Sequence, residues 1–370
     1  MKKILILNWR CPKNPLSGGA EKVTLQHAKA WIKEGYKVIW LAGGYRNCKR
    51  QENIDGVEIY HYGNPITLHF LAPFIFYFKF AGKFDLIVDE IHGLPFFTPL
   101  WARKIKKLAF IHEVANEIWD KMYHFPINYL GKKIERLYFY LYKSIPFLTV
   151  SQSTKDDLFK MGIAPENITI IPHGLFLKPV DYVLDKEKSL TLLFISRLVK
   201  MKGIETALRL FSRIVDQLPK AQLWIAGSGN ERYIQQLKKL ATILKINKQV
   251  IFYGYVNEAK KINLMQKAHF LIHTSVKEGF GLTVLEANSQ GTPVMAFNSH
   301  GLKDIIQDGI NGYRVTKGYT KELAEKIIAL YHDQPNYDKL AKSSIAFSKK
   351  FSWKKATKES TKLINKLMGL

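Results

Sequence analysis

The sequence predicts an α/β protein made of two Rossmann-like, doubly wound parallel-sheet domains facing a central cleft. Three observations carry that expectation. Short apolar runs alternate with amphipathic stretches along both halves, which is the pattern of parallel strands joined by covering helices. A polar run without periodicity, LKPVDYVLDKEKS (177–189), separates the two alternations and reads as a linker. With 370 residues, the chain exceeds one ordinary core, and two domains of roughly 170–190 residues are the natural division. The expected partition is an N-terminal domain over 1–176 and a C-terminal domain over 177–353. Hydrophobic content of 47% and charged content of 24% are those of a globular protein.

The elements follow in order. ILILNW (4–9) is a first strand, SGGAEKVTLQHAKAWIKEGY (17–36) a turn and amphipathic helix, and KVIWLAG (37–43) a second strand. GVEIYHY, FDLIVDE and KLAFIHEV are further strands. PFLTVSQS (146–153) leads into a helix expected to start at Ser153, capped by Ser153 with Asp156. After the linker come the strand SLTLLFIS, the helix GIETALRLFSRIV, the strand AQLWIAG, the helix ERYIQQLKKLATIL, and the strands QVIFYGYV and AHFLIHTS (268–275).

The composition narrows the function classes. Two cysteines, Cys11 and Cys48, make neither a disulfide framework nor a metal-spacing motif, so a reducing, cytosolic setting is expected. MKKILILNW opens like a signal peptide, but its apolar run is short and no small-residue cleavage site follows, so it reads as a strand. ITLHFLAPFIFYFKF (66–80) contains His69, Pro73 and Lys79 and falls short of the about 20 residues of a bilayer span. The net charge of +25 suggests an anionic partner: nucleic acid, a membrane surface or a phosphorylated small molecule. A lysine-rich solvated surface explains the same number.

KEGFGLTVLEANSQGTPV (277–294) is the most informative stretch. It follows a buried strand, turns on Gly279-Phe280-Gly281, enters a helix at Leu282, stops at Gly291-Thr292-Pro293 and returns as the strand PVMAF. The glycines let a ligand approach the backbone, and the helix start offers unpaired amides to an anion. Glu278 precedes the turn, and Glu286 lies about one turn inside the helix among apolar neighbours. Either could be an ordinary solvated carboxylate, and the stretch alone leaves both readings open.

Two other strand ends carry candidates. SGGAEK (17–22) places Gly18 and Gly19 at a helix start suited to a phosphate or sugar, without the G-x-G-x-x-G of a dinucleotide site. SRLVKMKG (196–203) sends Arg197 and Lys202 off a strand with Gly203 behind them. Two such cations can grip a diphosphate, Arg as a fork and Lys as a point charge.

Taken together, SGGAE, SRLVKMKG and EGFGLTVLEANSQGTPV resemble the family-4 retaining glycosyltransferases of the GT-B fold. The resemblance runs along essentially the whole chain, with FDLIVDEIHGLPFFTP, FIHEV, TVSQSTKDDL, IPHG and IAGSGNE in the family's order. It implies a hexosyltransferase using a nucleoside-diphosphate sugar (UDP- or GDP-linked) to build a polysaccharide or glycolipid. By the same resemblance, Glu278 lies at the donor sugar, Glu286 binds the ribose hydroxyls, and Arg197 and Lys202 hold the diphosphate. The amides of Gly279-Phe280-Gly281 and Gly18-Gly19 would lie against sugar and phosphates. His112 would face the donor from the first domain, and backbone around Gly227 and Tyr255 would form the base pocket. The family's habit of returning its C-terminal helix to the first domain implies the same for about 354–370.

No Asp-x-Asp occurs, so Arg197 and Lys202 are expected to neutralise the diphosphate without a metal or other cofactor. With Glu286 on the ribose, only Glu278 remains near the anomeric carbon, which disfavours a two-carboxylate mechanism. The family implies front-face transfer with retention, the donor phosphate helping to deprotonate the acceptor. NYLGKKIERLYFYLYKS (128–144) has Leu130, Ile134, Leu137 and Leu141 on one face of a basic helix, and Lys349 to Lys366 holds seven lysines against Glu359. Both suit contact with the anionic inner face of a membrane and a glycan or lipid-linked acceptor, or else ordinary domain packing and solubility. Two readings from other classes compete: a non-enzymatic nucleic-acid-binding protein, supported by charge alone, and an NAD-dependent enzyme, disfavoured because GSGNER (227–232) lacks a third glycine.

Overall fold

The computed structural model describes residues 1–80 and 83–370. The chain divides into two compact units. One comprises Met1–Trp119, Phe125–Gly174 and Ser352–Leu370; the other comprises Asp120–His124 and Leu175–Phe351.

The first unit begins with β1 (Lys3–Asn8), α1 (Gly19–Lys33) and β2 (Lys37–Ala42), followed by the hairpin strands β3 (Gln51–Ile54) and β4 (Val57–His61). Next come α2 (Leu68–Ile75), a π-helical turn (Phe76–Phe80), β5 (Leu86–Ile91), α3 (Thr98–Trp101) and β6 (Lys106–Ile111). After α4 (Glu117–Met122), which runs into the second unit, come α5 (Ile127–Leu141), β7 (Phe147–Thr149), α6 (Gln152–Lys160) and β8 (Ile168–Ile170). The eight strands lie in the order β3-β4-β2-β1-β5-β6-β7-β8. All neighbours are parallel except β3 and β4. In register, Ile4 stands beside Val38 on one side and Leu86 on the other. Central strands of such a sheet are covered on both faces, which is why ILIL (4–7) and LIV (86–88) read as continuous apolar runs.

The second unit holds β9 (Thr191–Ile195), α7 (Ile204–Val215), β10 (Gln222–Ala226), α8 (Glu231–Ile243), β11 (Val250–Gly254), α9 (Glu258–Lys267) and β12 (Phe270–His273). It continues with α10 (Leu282–Ser289), β13 (Val294–Phe297), α11 (Leu302–Ile305), β14 (Gly312–Val315), α12 (Thr320–His332) and α13 (Gln334–Ser348). Its six parallel strands run β11-β10-β9-β12-β13-β14. Helix α7 shows how sequence becomes packing: Ile204, Ala207, Leu208, Phe211 and Ile214 recur at helical spacing and are all buried against the sheet. Each large apolar side chain so buried contributes about 1.5–3 kcal/mol.

The strand order reverses between β1 and β5 in one unit and between β9 and β12 in the other. At such a switch point the loops leaving adjacent strands diverge, and the carboxyl ends open a crevice that ligands use. The final helix, α14 (Trp353–Met368), belongs to the first unit and packs on α1. Ser360 Oγ meets His27 Nδ1 at 2.9 Å and accepts from Trp31 Nε1 at 3.3 Å.

Four expectations need correction. Strand β3 escaped the sequence reading, although Asp55-Gly56 forms its turn with both residues at positive φ (52° and 90°), a recognised hairpin signal. Helix α6 is capped by Ser151, whose hydroxyl accepts the Thr154 amide, and Ser153 lies inside the helix. The run 177–189 is irregular but not merely a tether. Lys186 donates to the Gln266 carbonyl and the Thr292 hydroxyl, both at 2.9 Å, and burial, with Lys267 nearby, pushes its ammonium down to about 7.

The fourth correction concerns α5. It buries Gly131, Glu135, Tyr138 and Phe139, a face turned about one residue from the Leu130–Ile134–Leu137 stripe. Glu135 fixes that orientation by accepting the amides of Ala115 and Asn116, both at 2.7 Å, and the Trp119 indole at 3.2 Å. A Cβ on Gly131 would stand 2.5 Å from the Trp119 ring. Leu130, Ile134 and Leu137 are therefore exposed, Leu137 to 70%. No helix among the described residues is long and apolar enough to cross a membrane.

Candidate active site

In the second unit the candidates cluster on the two strands that flank the switch point. β9 ends at Ile195, and the chain passes Arg197 and a short 3₁₀ turn (Lys200–Lys202) before α7. Gly203 makes that turn possible at φ 72°, with its Cα against the Thr274 carbonyl; a Cβ there would lie 2.2 Å from that oxygen. The loop after β9 is thereby held against the loop after β12, and Lys202 is brought to Glu278.

Lys202 Nζ donates to Glu278 Oε1 at 2.5 Å, and His273 Nε2, at the end of β12, stands 3.7 Å from the same oxygen. Burial raises the Glu278 carboxyl. The Lys202 ammonium, then His273, and hydrogen bonds from Lys202 and Ser275 outweigh it and hold the pKa at about 2. His273 goes the other way: burial, which the Glu278 charge offsets only in part, lowers it to about 4. At neutral pH the trio is an ammonium, a carboxylate and a neutral imidazole. It can accept hydroxyl hydrogen bonds or exchange its carboxylate for a stronger anion.

Gly281 adopts φ 87° and starts α10, whose amides at Leu282 and Thr283 open the helix. Phe280 is buried with its ring 6.0 Å from Phe351. Glu286 sits one turn into α10 and is buried; Lys261 of α9 reaches its Oε1 at 2.9 Å and also pairs with Glu258 at 3.3 Å.

The remaining predicted residues are placed differently. Arg197 is exposed at the strand end. The Gly227 amide donates to the Gly254 carbonyl at 2.8 Å, bringing the two expected base-pocket loops together, but the Tyr255 ring is 81% exposed. In the first unit the Gly18 amide is already taken, donating to Glu21 Oε2 at 2.7 Å. Gly19 is the first residue of α1.

His112, just past β6, belongs to a buried polar cluster the sequence reading did not assemble. Glu90 on β5 accepts the Thr24 hydroxyl at 2.5 Å, while its other oxygen lies 3.5 Å from His92 Nε2 and 3.9 Å from His112 Nε2. None of those three atoms has a hydrogen-bond partner. The His92 and His112 rings stack at 5.9 Å, and His173 lies 5.4 Å from His112. Burial, and then the charges of His173, His92 and His27, drive the His112 pKa far down, so its imidazole is neutral. The sequence carried a signal for Glu90 in the two carboxylates closing the apolar run FDLIVDE. It carried none for Lys261, one lysine among many on a polar helix.

Known proteins resemble the chain along its length. The model of "Glycosyltransferase Family 4" matches residues 17–177, and that of "Glycosyl transferases group 1" matches 182–347. An uncharacterized glycosyltransferase of Methanocaldococcus jannaschii is 26% identical over 99% of this chain and all of its own. The poly(glycerol-phosphate) alpha-glucosyltransferase of Bacillus subtilis is 30% identical over 55% of this chain, which spans 30% of that protein. Sucrose-phosphate synthase from Thermosynechococcus elongatus superposes with a TM-score of 0.85 over all of both chains at 18% identity. The Anabaena protein HepE, solved with UDP-glucose, does so at 0.77 over 99% and 100%, with 17% identity. Those two likenesses speak to the fold. With the two family matches taking in most of the chain, it belongs to the family-4, group 1 glycosyltransferases and is a hexosyltransferase of the GT-B fold.

Proposed function

We propose that the chain transfers a hexose from a nucleoside-diphosphate sugar, UDP- or GDP-linked, to a glycan or lipid-linked acceptor, with retention and without a catalytic metal. The observation that carries this reading is the Lys202–Glu278–His273 trio beside the glycine-started α10. A diphosphate arriving at Lys202 competes with Glu278 for the ammonium, and Arg197 adds a bidentate donor from the same loop. Relieved of its cation, Glu278 accepts hydroxyl hydrogen bonds from the donor sugar, and Glu286 does so from the ribose. As the sugar–phosphate bond breaks, charge grows on the departing diphosphate, where fixed cations stabilise the transition state more than the ground state. The acceptor hydroxyl attacks from the same face, its proton passing to a phosphate oxygen. A solved structural neighbour, HepE, holds UDP-glucose, which favours UDP as the first nucleotide to test.

The exposed stripe of α5 favours a lipid-linked acceptor. Leu130, Ile134 and Leu137 face outward between basic residues, and Lys133 and Lys143 lie over the Tyr129 and Tyr140 rings at 4.8 and 4.4 Å. An apolar stripe with cations beside it is the build of an interfacial helix. Ile66, Phe70, Phe74 and Phe78 on and beside α2 add exposed apolar surface.

The test is a panel of nucleotide sugars scored for hydrolysis and of nucleoside diphosphates scored by calorimetry, with NAD and DNA as controls. One nucleoside diphosphate should bind and its sugar conjugate be hydrolysed. Binding of NAD or DNA with no response to any nucleotide sugar would overturn the reading.

A further inference from the structure

Both cysteines of the chain lie in the first unit, and one faces a histidine and a glutamate. Cys11, in the loop after β1, is fully buried. His61 closes β4, and its Nε2 stands 3.3 Å from Cys11 Sγ and 3.8 Å from Glu52 Oε1. One ligand atom from each of the three residues lies within 4.8 Å of the other two.

We propose that Cys11 Sγ, His61 Nε2 and Glu52 Oε1 form a site for one divalent cation of the zinc type, with a fourth position left to water. A tetrahedral ion holds nitrogen, sulfur and oxygen ligands about 3.4–3.6 Å apart given bond lengths of about 2.0–2.3 Å, and the two separations from His61 Nε2, 3.3 and 3.8 Å, bracket that range. Two further observations point to a ligand. His61 Nδ1 meets the Lys49 carbonyl at 2.6 Å, so Nδ1 carries the proton and Nε2 turns its lone pair to the site, as the outer hydrogen bond of a metal-bound histidine does. Glu52, its side chain 8% exposed, receives Lys13 on Oε2 at 2.6 Å, while its buried Oε1 has no hydrogen-bond partner.

A hydrogen-bonded trio without an ion accounts for less. The Cys11 thiol can donate to His61 Nε2, but nothing then reaches Glu52 Oε1, and an unsatisfied buried carboxylate oxygen is costly. A cation satisfies all three atoms, Cys11 binding as thiolate with its proton released to buffer. Thiolate and imidazole select zinc over magnesium or calcium. None of these residues is among those proposed to hold the donor. The ion would pin the loop after β1, which leads into Gly18 and Gly19, to the β3–β4 hairpin.

The test uses the full chain, stripped by chelation and titrated with Co²⁺. A near-ultraviolet thiolate-to-cobalt band should saturate at one equivalent, persist in Cys48→Ser and vanish in Cys11→Ser. His61→Gln and Glu52→Gln should weaken Co²⁺ by at least ~10-fold. Zn²⁺ should displace the cobalt and raise the thermal midpoint of the wild type but not of Cys11→Ser. Absence of the band in the wild type, or its loss in Cys48→Ser instead, would overturn the proposal.

Discussion

Replacing Lys202 by Met keeps the length and most of the packing of the side chain while removing the cation that faces Glu278. Both side chains are mostly buried, 13% and 15% exposed, so little solvent screens the change. Glu278 is held at about 2 against an ordinary 4.5. At about 1.4 kcal/mol per pH unit that depression corresponds to about 3 kcal/mol of stability at neutral pH. A folded pKa below the unfolded one gives stability that is complete above pH 4.5 and lost as pH falls through 2. Urea unfolding should therefore show Lys202→Met about 3 kcal/mol less stable than wild type at pH 7, with the gap narrowing as pH falls from 4.5 toward 2. The double variant Lys202→Met/Glu278→Gln should regain most of the loss, because it leaves no uncompensated buried charge. An equal deficit at both ends of the pH range, or none at pH 7, refutes the ion pair as described.

Three further outcomes follow from the same geometry. Glu286→Gln should weaken binding of the free nucleoside diphosphate by about 1–2 kcal/mol, whereas Glu278→Gln should spare that binding and damage transfer. Calorimetry that finds equal losses would end that division of labour. Transfer should run within about twofold of the same rate whether Mg²⁺ and Mn²⁺ are supplied or removed by gel filtration; a strict need for either would show the diphosphate is neutralised in another way. Leu130→Ser/Leu137→Ser should reduce co-sedimentation with anionic liposomes, and about 0.5 M salt should release the wild type. Indifference to such vesicles at low salt favours a soluble acceptor.

Much of the fold was legible because buried parallel strands write themselves as uninterrupted apolar runs, and the glycine turns after β9 and β12 mark where strand gives way to helix. Boundaries were less so: Ser151 and Ser153 both fit a cap, and tertiary contacts decide between them. Helix α5 left two readings open, a packed or an exposed leucine stripe, and a physical reason decides between them. Its leucine stripe has the spacing of a buried face, but a single polar residue, Glu135, binding two amides and an indole, turns the other side inward. At the site, motif residues could be named from their neighbours in sequence. In the second unit Lys261 could not, since only helix packing brings it to Glu286; in the first, strand order alone sets Glu90 and His92 beside the His112 named from sequence.

The first unit is discontinuous, and that shapes the order in which the protein can be made. Its last helix leaves the ribosome only after the whole second unit, so until then His27 and Trp31 lack the Ser360 hydroxyl and α1 presents a bare face. The second unit is free of that delay. Its long segment starts at Leu175, whose amide donates to the carbonyl of its final residue, Phe351, at 3.2 Å. Termini that meet in this way make Leu175–Phe351 a natural cassette, which can be exchanged between relatives by cutting at two adjacent points, Asp120–His124 staying with the rest of the chain. The first unit survives the same operation only if a short loop rejoins Gly174 to Ser352.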